Sequence, residues 1–347
     1  MRRVVVVDPD PGWPDRFQEE ARRIRAALGE DCVYVHHIGS TAVPGLRAKP
    51  ILDLMPVVRD IRAVDRRHGA MAELGYEGLG EYGLPGRRYF RKGGDERTHH
   101  VHVYEVGHPD IDRHLAFRDY LRDHPDAARR YGELKAELAR RFADDVEAYM
   151  DGKHDFIQEM ERAALAWWSR VPVLLVTGPV GAGKTTVADA VSDLLREAGT
   201  AHACIDFDAL TEVSPPSPGD RFGLALGLAN LAAVWRTFRS CGARCLVLAT
   251  VVEERSEVEG FRQAVPGAEV TVVRLRASME TLEERIRRRE TGLGRDWSLR
   301  RSAELAALME ERKVEDFAVD TDGRSVEEIA REILERLGGP RWGRSLS

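Results

Sequence analysis

The chain lacks any uninterrupted apolar run near the roughly 20 residues that a membrane-spanning helix requires. Its opening, Met1-Arg2-Arg3 with only four valines before Asp8, has neither the signal-peptide pattern nor an anchor, so a cytoplasmic location and no membrane partner are expected. Cysteine is scarce, with four among 347 residues at positions 32, 204, 241 and 245. Only Cys241 and Cys245 are close, and without a second ligand pair that spacing excludes a structural zinc site. Their apolar neighbours mark the four as buried free thiols of a reducing compartment. Positive charge in excess is missing too: 52 basic side chains face 58 acidic ones, for a net charge of −6. Such a chain has no overall basic field for a polyanion, which argues against a nucleic-acid partner.

What is present is enough for two cores. Hydrophobic residues make up 43% and charged residues 32% of the chain, which excludes disorder as the main state. A length of 347 residues exceeds the roughly 250 to 300 at which single cores stop growing. The pattern changes near Trp168, giving expected domains at 1–167 and 168–340. Before that point a helix is predicted at 14–28, strands near 32–38, 51–58, 88–91 and 99–106, then helices at 110–124 and 126–166, a mixed α+β layout. After it, strands at 171–177, 201–206, 245–252, 270–276 and 317–320 alternate with helices at 185–198, 222–240, 279–289 and 325–337. That alternation predicts an α/β domain with a doubly wound parallel sheet. The residues after Gly338 read as a frayed tail.

The chemistry of the second half starts at Gly178-Pro-Val180-Gly181-Ala182-Gly183-Lys184-Thr185-Thr186, a full G-x-x-x-x-G-K-[ST] pattern after a buried strand and before a helix. Its glycines let successive N–H groups face phosphate oxygens at the positive end of a helix. Lys184 can bridge the β- and γ-phosphates, and the Thr185 hydroxyl can ligate Mg²⁺, so ATP and Mg²⁺ are the expected cofactors. The second strand ends Cys204-Ile-Asp206-Phe-Asp208, and alternation puts both carboxylates on one face of an extended segment; a solvated or helix-capping pair is the competing reading. Here the chain resembles the P-loop small-molecule kinases, such as the shikimate, gluconate and adenylylsulfate kinases. The resemblance implies that Asp206 serves the metal shell and Asp208 orients or deprotonates a small-molecule acceptor, with the two roles exchangeable. The strand after 245 lacks the acid of many NTPases, leaving Thr250 and Glu253 as substitutes. The resemblance also makes the stretch from Glu283 to Trp297 a lid in which a helix runs into an Arg-bearing loop; Arg288 and Arg295 are expected to reach inward, while Arg285 and Arg289 share a helix face. A solvated face of Glu–Arg pairs is the rival for these arginines. Asp320 and Thr321 would pass beside adenine, and Ser325 with Glu328 reads as a capping box. The stretch 211–227, with Pro215, Pro216 and Pro218, is expected to shape the acceptor pocket.

In the first half, His36-His37-Ile-Gly39-Ser40-Thr-Ala-Val-Pro44-Gly45-Leu-Arg47-Ala-Lys49-Pro-Ile-Leu-Asp53 resembles the GrpB family. So do Asp10-Pro-Gly-Trp13-Pro-Asp-Arg-Phe17, Phe117-Arg-Asp-Tyr120 and Lys153-His-Asp-Phe156. The resemblance implies a nucleotidyltransferase-like mixed sheet with helices, in which Gly39-Ser40 would meet phosphate and Asp53 a metal ion. The second acid of a nucleotidyltransferase pair is here Met55, and Glu105 is the candidate replacement. His100 and His102 alternate onto one face; with His37 and Asp53 they could form a transition-metal or phosphate site, with Lys49, Arg88 and Arg91 supplying positive charge. A polar cleft of hydrogen-bonded histidines is the plainer alternative. The leading expectation is an ATP-dependent small-molecule kinase fused to a GrpB-type domain with possible nucleotidyl transfer. The alternatives are dephospho-coenzyme A kinase-like activity, or an ATP-binding regulator without an acceptor. No oligomeric state is indicated.

Overall fold

The computed structural model describes residues 3–215, 218–220, 222–338 and 342, so Pro216 and most of the segment after Gly338 lie outside the described residues. The chain divides into two compact units, Met1–Trp168 with Arg239–Cys241, and Ser169–Phe238 with Gly242–Ser347. Among the described residues no helix is long and apolar enough to cross a membrane. No cysteine is in a disulfide; Cys32 and Cys245 are buried, whereas Cys204 and Cys241 are partly exposed.

The first unit runs α1 (Trp13–Leu28), β1 (Cys32–Ile38), β2 (Leu52–Val58), α2 (Ile61–Asp65), α3 (His68–Glu73), β3 (Glu77–Gly78), β4 (Arg88–Lys92), β5 (His99–Glu105), α4 (Pro109–Asp123), α5 (Pro125–Arg141), α6 (Val146–Gly152) and α7 (His154–Trp168). Its mixed sheet has the order β1-β2-β5-β4-β3, with β2 and β5 parallel and the other neighbours antiparallel. The period of two sends Leu54, Val58, Phe90, Val101 and Val103 to a face covered by α1 and α3. Met55, Val57 and Tyr104 go to the other face, against Ile111, Leu115, Ala164 and Trp168 of α4 and α7. The single helix expected over 126–166 is three helices. Phe142 ends α5, Asp145 turns extended and its carboxylate accepts from Ala148 N at 3.0 Å as the cap of α6, and Lys153 separates α6 from α7. Apolar spacing is blind to such breaks, because a short side-chain cap resets the helix without disturbing the hydrophobic count.

The second unit runs β6 (Val171–Thr177), α8 (Lys184–Glu197), β7 (His202–Asp206), α9 (Leu224–Ser240), β8 (Cys245–Ala249), α10 (Glu257–Ala264), β9 (Ala268–Arg276), α11 (Met279–Arg289), α12 (Leu293–Arg312), β10 (Phe317–Asp320) and α13 (Val326–Leu337). All its strands are parallel, in the order β10-β9-β6-β8-β7. Strand β6 is buried along its whole length, as a central parallel strand covered on both faces must be. Leu174 and Val176 face α8 and α13; Val173 and Leu175 face α9 and α10. The Ser325–Glu328 capping box is present. The expected lid loop is not a loop: Gly292, at φ +68°, reverses the chain after α11 and residues 293–312 form a 20-residue helix. Arg295 therefore sits in a first helical turn. Both α10 and α12 escape a sequence reading, since α12 carries arginines around much of its surface and, among its described large apolar side chains, only Leu305 and Met309 are buried.

Phe261 is 1% exposed and packs 5.0 Å from the ring of Phe207, just past the end of β7. Phe261→Ala is expected to cost about 3–5 kcal/mol through the cavity it leaves. Calorimetry should show the transition of this unit lowered by roughly 10 °C; a shift under about 2 °C would mean that the layer between α10 and β7 carries little of the stability.

Candidate functional sites

In the second unit, β6 is the point from which the chain proceeds first to β7 and β8 on one side and then to β9 and β10 on the other. Crevices open at the carboxyl ends of strands at such a switch. The turn from β6 into α8 fills this place. Gly181 has φ +86°, and a side chain there would meet Leu282 O and Ile286 Cγ1 at 3.0 Å; Gly183 has φ +91° and open space where a Cβ would lie. The first brings the turn against α11, and the second clears the N-terminus of α8 for a bulky anion.

A cavity of about 500 Å³ opens over this turn, lined among others by Val180, Gly183, Lys184, Thr185, Thr186, Asp206 and Asp208. Lys184 Nζ donates to Gly178 O at 3.2 Å and Pro179 O at 3.3 Å, with no carboxylate ion pair among the described residues. Burial lowers its pKa, opposed chiefly by Asp208. Thr185 Oγ1 donates to Asp206 Oδ2 at 2.9 Å, while Asp206 Oδ1 accepts from Asp208 N at 3.2 Å. One Asp206 oxygen thus caps the turn after β7 and the other faces the phosphate turn. Burial raises the Asp208 carboxyl above its ordinary value; Lys184 opposes this and Asp206 adds to it. Glycine-rich backbone, one ammonium and hard oxygen donors from Thr185 and Asp206 fit a magnesium-bound polyphosphate.

Other expected positions fall differently. Arg288 and Arg295 are exposed and do not line the cavity; Arg289 and Arg301 do. Helical phase explains the first exchange, because α11 buries Leu282 and Ile286 and so turns Arg288 outward, and the helical course of 293–312 removes Arg295. Arg285 bridges Ala182 O at 3.5 Å and Thr321 Oγ1 at 3.1 Å, linking the phosphate turn to the end of β10. Ala182 and Thr321 are both buried. Asp320 is exposed and pairs with Arg276 at 2.9 Å. Thr250 and Glu253 line the cavity, Glu253 paired with Arg301. The far wall is Phe222, within the 211–227 stretch, Trp297, at the end of the 283–297 stretch, and Glu257, which sequence patterns did not single out. Burial lifts the Glu257 carboxyl above its usual range.

In the first unit, the parallel register pairs Asp53 with His100, and alternation adds His102 to the same face. His100 Nδ1 lies 3.0 Å and His102 Nε2 3.9 Å from Asp53 Oδ1. Burial, with His114 next, pulls His102 down to about 3. Gly39 at φ +69° lets the turn after β1 close on Asp53, since a Cβ there would stand 2.4 Å from Asp53 Oδ2. Arg118 and Arg122 of α4 hold that turn through His37 O at 3.1 Å and Ala42 O at 2.8 Å.

Three expected members are elsewhere. His37 Nε2 meets Thr41 Oγ1 at 3.0 Å, and its ring stacks on Phe17. Glu105, at the far end of β5, is exposed and accepts from Ile61 N at the start of α2. Arg88 alternates to the opposite face from Tyr89 and pairs with Asp65 of α2. Arg91 shares the His100 face but is held bidentately by Glu77 at 2.6 and 3.0 Å. Met55 is fully buried, so a second acid has no place there. The unexpected members are lysines. Lys135 is 3% exposed and donates to Ser40 Oγ at 2.9 Å, and burial brings its pKa down to about 7. Lys153 lies over the Tyr149 ring at 5.0 Å, while Lys49, which the sequence did single out, lies over the same ring at 4.3 Å. A lysine between Tyr131 and Leu138 on the apolar stripe of α5 was the sequence signal for Lys135.

These two sites define a P-loop, kinase-like unit joined to a mixed-sheet unit with a histidine-carboxylate cleft. Residues 3–163 match the family described as GrpB protein, and residues 174–316 the one described as AAA domain. The chain belongs to the GrpB family through its first unit. It is 45% identical over 166 residues to UPF0157 protein YqkA of Bacillus subtilis, 48% of this chain and 48% of that protein, so the match spans about half of that relative. UPF0157 protein PA4798 of Pseudomonas aeruginosa is 44% identical over 168 residues, 47% of this chain and 69% of the relative. A dephospho-CoA kinase of Mycolicibacterium paratuberculosis is 28% identical over 189 residues, covering 47% of this chain and 46% of that enzyme. Among solved structures, GrpB from Enterococcus faecalis is 46% identical, covers 47% of this chain and 99% of its own, and gives a TM-score of 0.46. Shikimate kinase from Acinetobacter baumannii is 23% identical, covers 50% and 95%, and gives 0.35.

Proposed function

We propose that the second unit is an ATP-dependent kinase acting on a small-molecule acceptor. The observation that carries the reading is the convergence of Lys184, Thr185, Asp206 and Asp208 on one cavity roomy enough for more than a phosphate group. Bound MgATP supplies the phosphoryl group. The backbone of the 178–183 turn and Lys184 hold its phosphates, Thr185 and Asp206 hold the ion, and Asp208 orients the acceptor hydroxyl and takes its proton. Arg289, which lines the cavity, exchanges Glu290 for the transferring group.

The composition of the far wall supports a neutral or amine-bearing acceptor. Among the described residues, the arginines lining the cavity are already paired, Arg289 with Glu290 and Arg301 with Glu253. Glu257 and Asp208 add negative charge, and Phe207, Phe222 and Trp297 offer apolar surface. A polyanion such as dephospho-coenzyme A would meet like charge there, which favours a sugar-like or amino-alcohol acceptor. A regulator without an acceptor has no use for Asp208 beside Lys184.

Incubating the full chain with γ-labelled ATP and a small-molecule extract should produce a labelled organic phosphate. Release of inorganic phosphate alone, across extracts from several growth conditions, would leave an ATPase or a regulator as the better reading.

A further inference from the structure

Strand pairing places Asp53, His100 and His102 together, and one donor atom of each lies within 4.8 Å of the other two. The distances from Asp53 Oδ1, 3.0 Å to His100 Nδ1 and 3.9 Å to His102 Nε2, bracket the roughly 3.3 Å that separates two ligands held about 2.0 Å from a tetrahedral ion. His100 takes part through Nδ1, and its Nε2, buried and without a hydrogen-bonding partner among the described residues, is the nitrogen that faces away from such an ion. Two neighbouring groups point to a missing partner. Beside the cleft, Lys135 and Lys153 both feel the charge of Asp53, yet neither has a carboxylate ion pair among the described residues. Among the described residues, Lys135 donates its hydrogen bond to the neutral Ser40 hydroxyl.

We propose that Asp53, His100 and His102 hold a divalent transition-metal ion whose remaining coordination positions accept an oxyanion steadied by Lys135 and Lys153. Two imidazoles and one carboxylate select zinc or ferrous iron over magnesium, which prefers oxygen ligands throughout. Three protein ligands leave coordination open, the arrangement of a site that binds an exogenous ligand and not of a purely structural one. The lysines decide what that ligand is. A divalent ion and two ammonium groups against a single carboxylate leave the cleft strongly positive, and partial burial makes this costly unless an anion joins. Such an anion bridges the metal and the lysines and satisfies all three cations at once. Asp53 is positioned for this by the close approach of Gly39 to one of its oxygens, which leaves the other facing the imidazoles.

The test is calorimetric titration of the metal-free full-length protein with zinc, and X-ray absorption of the loaded protein. The inference expects one tight site with an imidazole-containing nitrogen and oxygen shell, weakened at least about 100-fold in His102→Ala and in His100→Ala. Inorganic phosphate should bind the zinc-loaded protein at least about 10-fold more tightly than the metal-free one, and Lys135→Met and Lys153→Met should each remove most of that gain. Circular dichroism melts of all four variants identify any loss that comes from unfolding. A sulfur-containing shell, equal zinc affinity in folded wild type and both histidine variants, or displacement of zinc by a comparable concentration of Mg²⁺ overturns the metal centre. Equal phosphate affinity with and without zinc overturns the oxyanion role.

Discussion

Lys184→Ala is expected to lower MgATP affinity by at least about 100-fold, a change of roughly 2.7 kcal/mol, with the fold intact. The reason lies in where the ammonium rests. Nζ is held by two backbone carbonyls, Gly178 O and Pro179 O, and burial has already lowered its proton affinity. A partly desolvated cation with neutral partners gains strongly when phosphate oxygens arrive, because the interaction forms in a medium of low effective dielectric. Removing it costs little in the absence of nucleotide, since residue 184 opens α8 and alanine is a good helix former. Calorimetry with MgATP reads the first effect and a thermal melt the second. Unchanged nucleotide affinity in a folded variant would remove the phosphate cradle from the proposed function altogether.

Asp208→Asn should retain MgATP affinity within about threefold while the transfer rate falls by about 10²- to 10⁴-fold, the range for loss of a positioned acid-base group. Asparagine keeps the volume and one acceptor oxygen, so the substitution isolates the charge. The pH dependence supplies a second reading. Asp208 is raised above the ordinary aspartate value, first by burial, and the base form exists only above its pKa. The acid limb of the transfer rate should therefore lie at higher pH than that of an exposed aspartate, and Asp208→Asn should lose that limb. Rates measured on the acceptor found with labelled ATP check both statements, and a variant that transfers at the wild-type rate would make Asp208 a spectator. Asp206→Asn behaves differently on the same reasoning. Its carboxylate faces Thr185 and also caps the following turn, so the substitution should weaken Mg²⁺-dependent ATP binding as well as transfer.

Much of the second site was legible because its parts are neighbours in sequence. The 178–186 turn is one local motif, and its meaning follows from backbone freedom and the helix N-terminus it opens. The Asp206/Asp208 pair was visible in the sequence, but strand alternation is not what places it: β7 ends at Asp206, and Asp208 lies in the short 3₁₀ turn that the Asp206 carboxylate caps. The arginines needed more. Arg288 and Arg289 differ by one position, about 100° around a helix, and only the packing of Leu282 and Ile286 against the core settles which of them turns to the cavity. Arg301 and Trp297 belong to a helix that Gly292 starts and that shows little apolar periodicity.

In the first unit the limits are sharper. That His100 and His102 share a face is a property of any strand. That Asp53 joins them depends on β2 lying parallel to β5 in one register, a pairing between residues 47 positions apart. The antiparallel register of β4 on β5 sends Arg88 to the other face, and Glu105 lies beyond the cleft at the far end of β5. Lys135 comes from α5 and Lys153 from the junction between α6 and α7, and they enter through the packing of Tyr131 and Tyr149.

The sequence by itself determined the two fold classes, the GrpB resemblance and the phosphate turn, since periodicity and short motifs are local properties that each segment carries wherever it is placed. Tertiary structure alone decided which charges meet: Arg289 in place of Arg288, a lysine pair beside Asp53, and histidines deprived of His37. Burial and strand register act between segments distant in the chain, and they set both the partners and the proton affinities from which the chemistry follows.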